Sequence, residues 1–219
     1  MRDSFFADEP TAFVLDGDRA ACAVVKALVR QAHCHAECYH SAVEFFETCD
    51  PHRPGCLLLD IHTPGLRGPQ AVAALAERRF HLPVILLTAR PEVAEAVRAI
   101  RAGAVNYLRK PCDPDELAEA IHEAIAWDAE NRRQRAYCAR ARRRLKRLLP
   151  GERHVLEMLV HGRSNREIAE SLGVSVRTIE VRRAKMMKKM RAQSLADVIR
   201  AHVAIHGPAG ALQHQKGGG

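Results

Sequence analysis

Asp16, Asp60, Thr88 and Lys110 each stand at the end of a short apolar run: AFVL precedes Asp16, CLLL precedes Asp60, PVILL precedes Thr88 and VNYLR precedes Lys110. In an open α/β sheet, ligands bind outside the carboxyl ends of the strands, where strand order reverses. Two carboxylates, a hydroxyl and an ammonium gathered on that edge make a site for a metal-assisted phosphoryl group. A second group of residues is suited to contact. Arg177, Thr178, Glu180, Val181, Arg182, Arg183, Lys185, Lys188 and Lys189 crowd one short stretch, and a basic helix of this kind fits the major groove of duplex DNA.

The elements that must carry these residues alternate. TAFVLD, HAECYH, GCLLLD, PVILLT and AVNYLRK read as five strands, separated by helical stretches at 18–32, from Ser41, at 69–79 and at 91–102. GCLLLD is almost wholly apolar, as a strand covered on both faces should be. The fold class expected is α/β, a five-stranded doubly wound parallel sheet of flavodoxin-like type. A helix starts near Asp113-Pro114-Asp115 and meets no stop signal until Pro150, but its apolar seam is thin between 128 and 136, so a continuous helix and a broken, partly flexible linker both fit the sequence. An all-α four-helix unit follows, with Ser175 and Ser194 as N-caps and Gly173 at a tight turn. Ile168, Ala169, Leu172, Val174 and Ile179 are spaced to pack two helices across that turn. The domain limits expected are a disordered N-terminus 1–10, a first domain 11–127, a helical basic linker 128–147, a helix-turn-helix domain 148–206 and a disordered tail 207–219.

Bulk properties agree with this division. The chain has 219 residues and a formal charge of +8. Residues 1–127 carry 13 Lys and Arg against 18 Asp and Glu, net −5, and residues 128–219 carry 21 against 8, net +13. An acidic half joined to a strongly basic one points to a polyanionic partner for the second half. The polar N-terminus has no signal-peptide core, and no apolar run approaches the ~20 residues that span a bilayer. A cytoplasmic location and no membrane partner are therefore expected. Seven scattered cysteines without a CxxC pair read as reduced thiols. The group His33, Cys34, His35, Cys38 and His40 matches no standard zinc spacing. Trp127 is expected to anchor the edge of the first domain.

The strings LD, LLLDIHTPGLRG, LLTAR and YLRKP together resemble the receiver domain of two-component response regulators, over about residues 11–127. The resemblance implies that Asp60 is a nucleophile accepting a phosphoryl group from the phosphohistidine of a sensor histidine kinase, with Thr88 and Lys110 binding phosphoryl oxygens. It implies Mg²⁺ held by Asp16, Asp60 and the His62 backbone carbonyl. It further implies a cis bond before Pro111, a Thr88/Tyr107 switch, and a dimerisation face made of helix 91–102, strand five and helix 113–127. The chain departs from the family at Gly17, where a direct acidic Mg²⁺ ligand normally stands. Weak Mg²⁺ binding is expected, with Asp18 as a substitute ligand.

SNREIAESLGVSVRTIEVRRAKMMKKM resembles the LuxR-type helix-turn-helix of the FixJ/NarL regulators over about 55 residues. By that resemblance Glu180, Val181 and Arg183 face bases. Arg177, Thr178, Lys185 and Lys188 lie nearer phosphates, and Arg163, Ser164 and Asn165 stand at a phosphate-binding helix start. Leu195, Val198, Ile199 and Val203 are expected at a DNA-bound dimer contact. LLPGER replaces the family's LTPRER, losing a Thr cap and an Arg, which is expected to loosen the first helix or its DNA contact. The whole chain then reads as a transcription factor and not an enzyme: phosphorylated on Asp60, homodimeric when active, and acting on a roughly palindromic double-stranded DNA site and RNA polymerase. The alternative is an atypical receiver that regulates transcription without phosphate.

Overall fold

Apolar runs extend and amphipathic runs coil in strict alternation: β1 (Thr11–Leu15), α1 (Arg19–Gln31), β2 (His35–Tyr39), α2 (Ala42–Thr48), β3 (Gly55–Asp60), α3 (Gln70–Glu77), β4 (Val84–Thr88), α4 (Val93–Arg101), β5 (Asn106–Arg109) and α5 (Pro114–Leu145). The computed structural model describes residues 9–66 and 70–207. It divides into two units between Arg132 and Arg133. The tails expected at 1–10 and 207–219 lie outside the described residues except for 9, 10 and 207, and so does position 69 of the expected helix 69–79.

The five strands are all parallel, in the order β2-β1-β3-β4-β5. Strand order reverses between β1 and β3, so the crevice opens beyond Leu15 and Asp60. Alternate residues serve opposite faces. Phe13, Leu15, Leu57, Leu59, Val84 and Leu86 join one core with α2, α3 and α4. Ala12, Val14, Leu58, Ile85 and Leu87 join the other with α1 and α5. Gly55 is required where β3 begins: its φ is +145°, and a Cβ there would lie 1.8 Å from the Thr11 carbonyl oxygen. β5 is shorter than the run AVNYLRK suggested, because only 106–109 pair with β4.

α5 is a continuous helix of 32 residues, about 48 Å long at 1.5 Å per residue. Asp113 opens it by accepting the Asp115 and Glu116 amides. Residues expected to begin a linker are instead fixed in the first unit. Asp128 is buried and accepts from the Gly55 amide (3.0 Å) and Arg132 Nε (2.5 Å). Arg132 also donates to the carbonyls of His52 and Arg53. Trp127, expected as an anchor, is 51% exposed, so the buried Asp128 beside it does that work.

In the second unit the end of α5 supplies Tyr137, Ala141 and Leu145 to a core shared with α6 (Pro150–Val160), α7 (Asn165–Leu172), α8 (Val176–Met190) and α9 (Leu195–His206). Ser164, Ser175 and Ser194 each cap a helix through the side chain. Gly173 ends α7 in the left-handed region, at φ +62°, which allows the tight turn into α8. Val198 is fully buried and Leu195 packs on the same core, so of the four residues expected at a dimer contact only Ile199 and Val203 remain, half-buried.

Candidate functional site

The carboxyl edge of the sheet brings three of the four strand-end groups into direct contact. Lys110 Nζ lies 2.5 Å from Asp16 Oδ2 and 2.5 Å from Asp60 Oδ2, bridging the two carboxylates. Burial works against the ammonium. The hydrogen bonds and charges of Asp16 and Asp60 outweigh it and hold Lys110 above the ordinary lysine value. Asp16 is almost fully buried, whereas the Asp60 side chain is 14% exposed and open to a reactant. Asp60 Oδ1 also accepts the His62 amide at 2.7 Å. These groups line a cleft of about 360 Å³ together with Gly17, Asp18, Thr63 and Ala89. The Lys110–Pro111 peptide is cis.

Thr88, the fourth group, is wholly buried and engaged locally: its Oγ1 accepts the Arg90 amide at 3.1 Å. The Tyr107 hydroxyl donates to Glu95 Oε2 at 3.2 Å. Burial raises its pKa and Glu95 adds to the rise, while the Glu92 backbone and the Thr88 hydroxyl oppose it. Thr88 and Tyr107 are therefore neighbours.

Asp18 does not complete a ligand set as the structure stands. Its Oδ1 caps α1, accepting from Ala20 N (2.8 Å) and Ala21 N (3.3 Å). The signal was present in the sequence, since Asp immediately before a helical run is a strong N-cap. Among the described residues no group of three His, Cys, Asp or Glu side chains could hold a metal ion, which covers the His33–His40 stretch. The rim suits a hard cation of another kind. Mg²⁺ binds through one or two carboxylates and keeps several waters. Asp16 and Asp60 supply two such oxygens already converging on one cation, the ammonium. Gly17 offers no ligand, yet a Cβ there would meet only Pro64 Cδ at 3.6 Å and the His40 carbonyl at 3.9 Å. There is room for a side chain, and the missing acid is a matter of sequence, not of space. All seven cysteines are free thiols, with burial pushing Cys49 up to about 11 and Cys22 to about 12.

In the second unit α8 turns Arg177, Glu180, Val181, Lys185 and Lys188 to the exterior, with Val181 45% exposed. Thr178 and Arg183 are half-buried. The Thr178 hydroxyl bonds that of Ser175 at 2.8 Å, and Arg183 donates to Asn165 Oδ1 at 3.2 Å. Arg163 is exposed and pairs loosely with Glu167 at 3.4 Å. The Ser164 amide donates to Glu167 Oε2 at 2.7 Å, which closes a capping box at the start of α7.

Two basic residues expected on the free face are turned inward. Lys189 donates to both oxygens of the buried Glu152, at 2.9 and 2.6 Å. Arg182 lies against Gly151, close enough that a Cβ there would be 3.2 Å from its Cζ. Glu152 also accepts the Leu149 amide at 2.9 Å. Burial pushes its carboxyl up, but Lys189 and the Leu149 amide prevail and hold it below the usual range. The cap that LLPGER lacks is absent as the sequence implies: Leu149 stands at the N-cap with no side-chain hydrogen bond. Leu149 cannot cap, and Glu152 closes the helix start while tying it to α8.

Two family models match the chain: the response regulator receiver domain over residues 12–122, and the luxR family of bacterial regulatory proteins over residues 147–202. The transcriptional regulatory protein FixJ of Azorhizobium caulinodans is 35% identical over 187 residues, 85% of this chain and 89% of that protein. Among solved structures, the response regulator StyR aligns with a TM-score of 0.74 and 31% identity over 89% of this chain and 98% of that one. Full-length FixJ from B. japonicum aligns with a TM-score of 0.54 and 31% identity over 90% of this chain and 98% of that one.

Proposed function

Because the chain belongs to the FixJ/NarL family of response regulators, a receiver joined to a LuxR-type DNA-binding domain, and is a transcriptional response regulator, we propose that phosphorylation of Asp60 by a partner histidine kinase controls its grip on DNA. The observation that carries this reading is the Lys110 ammonium held between the Asp16 and Asp60 carboxylates at the mouth of an open cleft.

The partly exposed Asp60 carboxylate attacks the phosphorus of a phosphohistidine. A new P–O bond forms, the P–N bond breaks, and the imidazole leaves with its electron pair and takes up a proton. Lys110, already 2.5 Å from the nucleophile, moves its charge from the carboxylates to the incoming phosphoryl oxygens. Asp16, Asp60 and the His62 backbone carbonyl would hold Mg²⁺, which when bound would offset the negative charge of the phosphoryl group. With Gly17 in the neighbouring position, that binding is weak. The acyl phosphate then draws the Thr88 hydroxyl away from Arg90, and Tyr107, in reach of Thr88, follows and alters the α4–β5–α5 face. That face exposes Val93, Val97 and Ile100 beside Arg98 and Arg101 on α4, and Glu116, Glu119 and Glu123 on α5. Apolar side chains ringed by opposite charges support a twofold dimer across it.

The dimer presents two α8 helices to a roughly palindromic duplex. Glu180, Val181 and Arg183 face bases. Arg177, Thr178, Lys185, Lys188 and the Arg163–Asn165 corner lie nearer phosphates, and Ile199 and Val203 add a contact between the α9 helices. The regulator works in the cytoplasm with RNA polymerase as its downstream partner; no helix among the described residues is long and apolar enough to cross a membrane. A second reading, control of transcription without phosphate, is favoured by Gly17 alone. Acetyl phosphate with millimolar Mg²⁺ separates the two. Formation of an acyl phosphate in the native chain and none in Asp60→Asn supports the first reading, and none in either supports the second.

A further inference from the structure

A second basic feature of the second unit lies away from the outward face of α8. A cavity of about 380 Å³ opens between the last turns of α5, the corner joining α8 to α9, and α9 itself. Arg140 and Arg144 reach it from α5, Arg191 from the corner and Arg200 from α9, with Tyr137 and apolar side chains forming the rest of its wall. Arg140, Arg191 and Arg200 are exposed at its mouth, and Arg144 is half-buried.

The charge inside does not balance. Among the described residues Asp197 is the lone carboxylate lining the cavity, and it is committed. It accepts the Gln193 and Ser194 amides at 3.0 and 2.8 Å and pairs with Arg200. The Ser194 amide holds its pKa below the usual carboxylate range, so it stays an anion and neutralises one guanidinium of the four. Arg144 is oriented by a bond to the Met190 carbonyl at 3.1 Å, which uses one of its five donors. Arg191, one of three non-glycine residues in the left-handed region among those described, is held there at φ 52° as the C-cap of α8, and that backbone turn delivers its side chain to the cavity.

We propose that this cavity is a binding site for a small polyanion bearing two or more phosphoryl groups. Guanidinium forks match phosphoryl oxygens bidentately. The volume lies within the usual range of small-ligand pockets, and the mixed wall of arginine, tyrosine and apolar side chains is that of a pocket and not of a flat phosphate track. A nucleoside diphosphate would use the Tyr137 ring as well, whereas pyrophosphate would use the arginines alone. An occupant joins the end of α5 to the end of α8, so its presence would be felt at the helix that reads DNA.

Isothermal titration of the full chain in EDTA, with ADP and with pyrophosphate as probes, tests the proposal. The expected result is saturable binding of at least one probe, weakened at least tenfold in Arg140→Ala/Arg191→Ala and changed less than twofold in Lys185→Ala/Lys188→Ala. Both arginines are exposed, so the variant retains its fold, checked by its unfolding midpoint. ADP binding tenfold tighter than pyrophosphate assigns the base to Tyr137, and equal affinities assign the site to phosphoryl groups alone. Absence of heat with both probes overturns the proposal, and so does equal weakening by the two variants, the mark of a merely basic surface. Unchanged probe affinity in the arginine variant, with a loss of affinity for a random duplex, overturns it in favour of a DNA contact.

Discussion

At the edge of the receiver sheet the charged groups satisfy one another, while on α8 most of them face solvent. Lys110 is closed between Asp16 and Asp60 in a half-buried cleft, but Arg177, Lys185 and Lys188 stand in solvent. A site that performs chemistry must hold its charges at fixed separations before the reactant arrives, and mutual pairing in a low-dielectric rim does this. A surface that meets a polyanion gains from charges left open, because each displaces a counterion only when the partner binds. The basic residues of α8 divide on the same principle. Lys185 and Lys188 are exposed, whereas Lys189, half-buried, pairs with the buried Glu152 and ties α8 to α6.

The largest effect expected from breaking this contrast falls on that pair. Glu152→Gln leaves Lys189 without its counter-charge and weakens the closure of α6. The second unit should lose on the order of 2 kcal/mol, with the receiver unfolding unchanged, as chemical denaturation followed separately in the two units would show. The same pair sets an acid limit. Because the folded pKa of Glu152 is depressed, its contribution is present above the unfolded value near 4.5 and is lost as pH falls through the folded value. A wild-type chain whose stability is flat across that range would contradict the role given to Glu152.

Adding charge to the receiver rim sharpens the contrast from the other side. Gly17→Asp places a third carboxylate where the backbone leaves room, and Mg²⁺ affinity, read by fluorescence or calorimetry, should rise roughly tenfold. An unchanged affinity would mean that the ion, if it binds, does not approach Gly17.

On α8 the expected change is smaller and of a different kind. Lys188→Ala should weaken binding to every duplex about equally and reduce the slope of log affinity against log salt by about 1. A sequence-selective loss would place Lys188 at a base instead of a phosphate.

The smallest effect concerns His202, buried on α9 beside His206, with Glu157 of α6 and His161 just past its end near enough to act on its charge. Burial lowers its pKa, and the two histidines add to the fall against Glu157. A base with a depressed folded pKa contributes fully above its unfolded value near 6.5 and costs stability as pH falls below it. The second unit should therefore soften slightly below pH 6.5, and His202→Gln should flatten that slope in thermal melts.

Much of this was legible in the residues. Strands covered on both faces announce themselves as apolar runs, and the strand-end polar residues gave three of the four rim groups their contacts. Ser164, Ser175 and Ser194 marked helix starts by a local rule that needs no tertiary information. What the sequence did not yield depends on distant partners. Lys189 follows Lys188 by one residue, a rotation of about 100° on the helix, and what makes that direction the interior is Glu152, far away on α6. Asp128 lay in a stretch read as linker because its partner, the Gly55 amide, is 73 positions earlier. Trp127 drew attention by its type, and only its exposure revealed that the neighbouring carboxylate holds the helix.

The central claim is that the state of the receiver rim governs how tightly α8 holds DNA. Fluorescence anisotropy with a duplex selected for binding, in the presence and absence of beryllofluoride and Mg²⁺, tests it most directly. The native chain should bind roughly tenfold tighter with beryllofluoride, a difference of about 1.4 kcal/mol, and Asp60→Asn should bind equally in both conditions. Identical affinities for the native chain with and without the phosphoryl mimic, at saturating Mg²⁺, would contradict the claim.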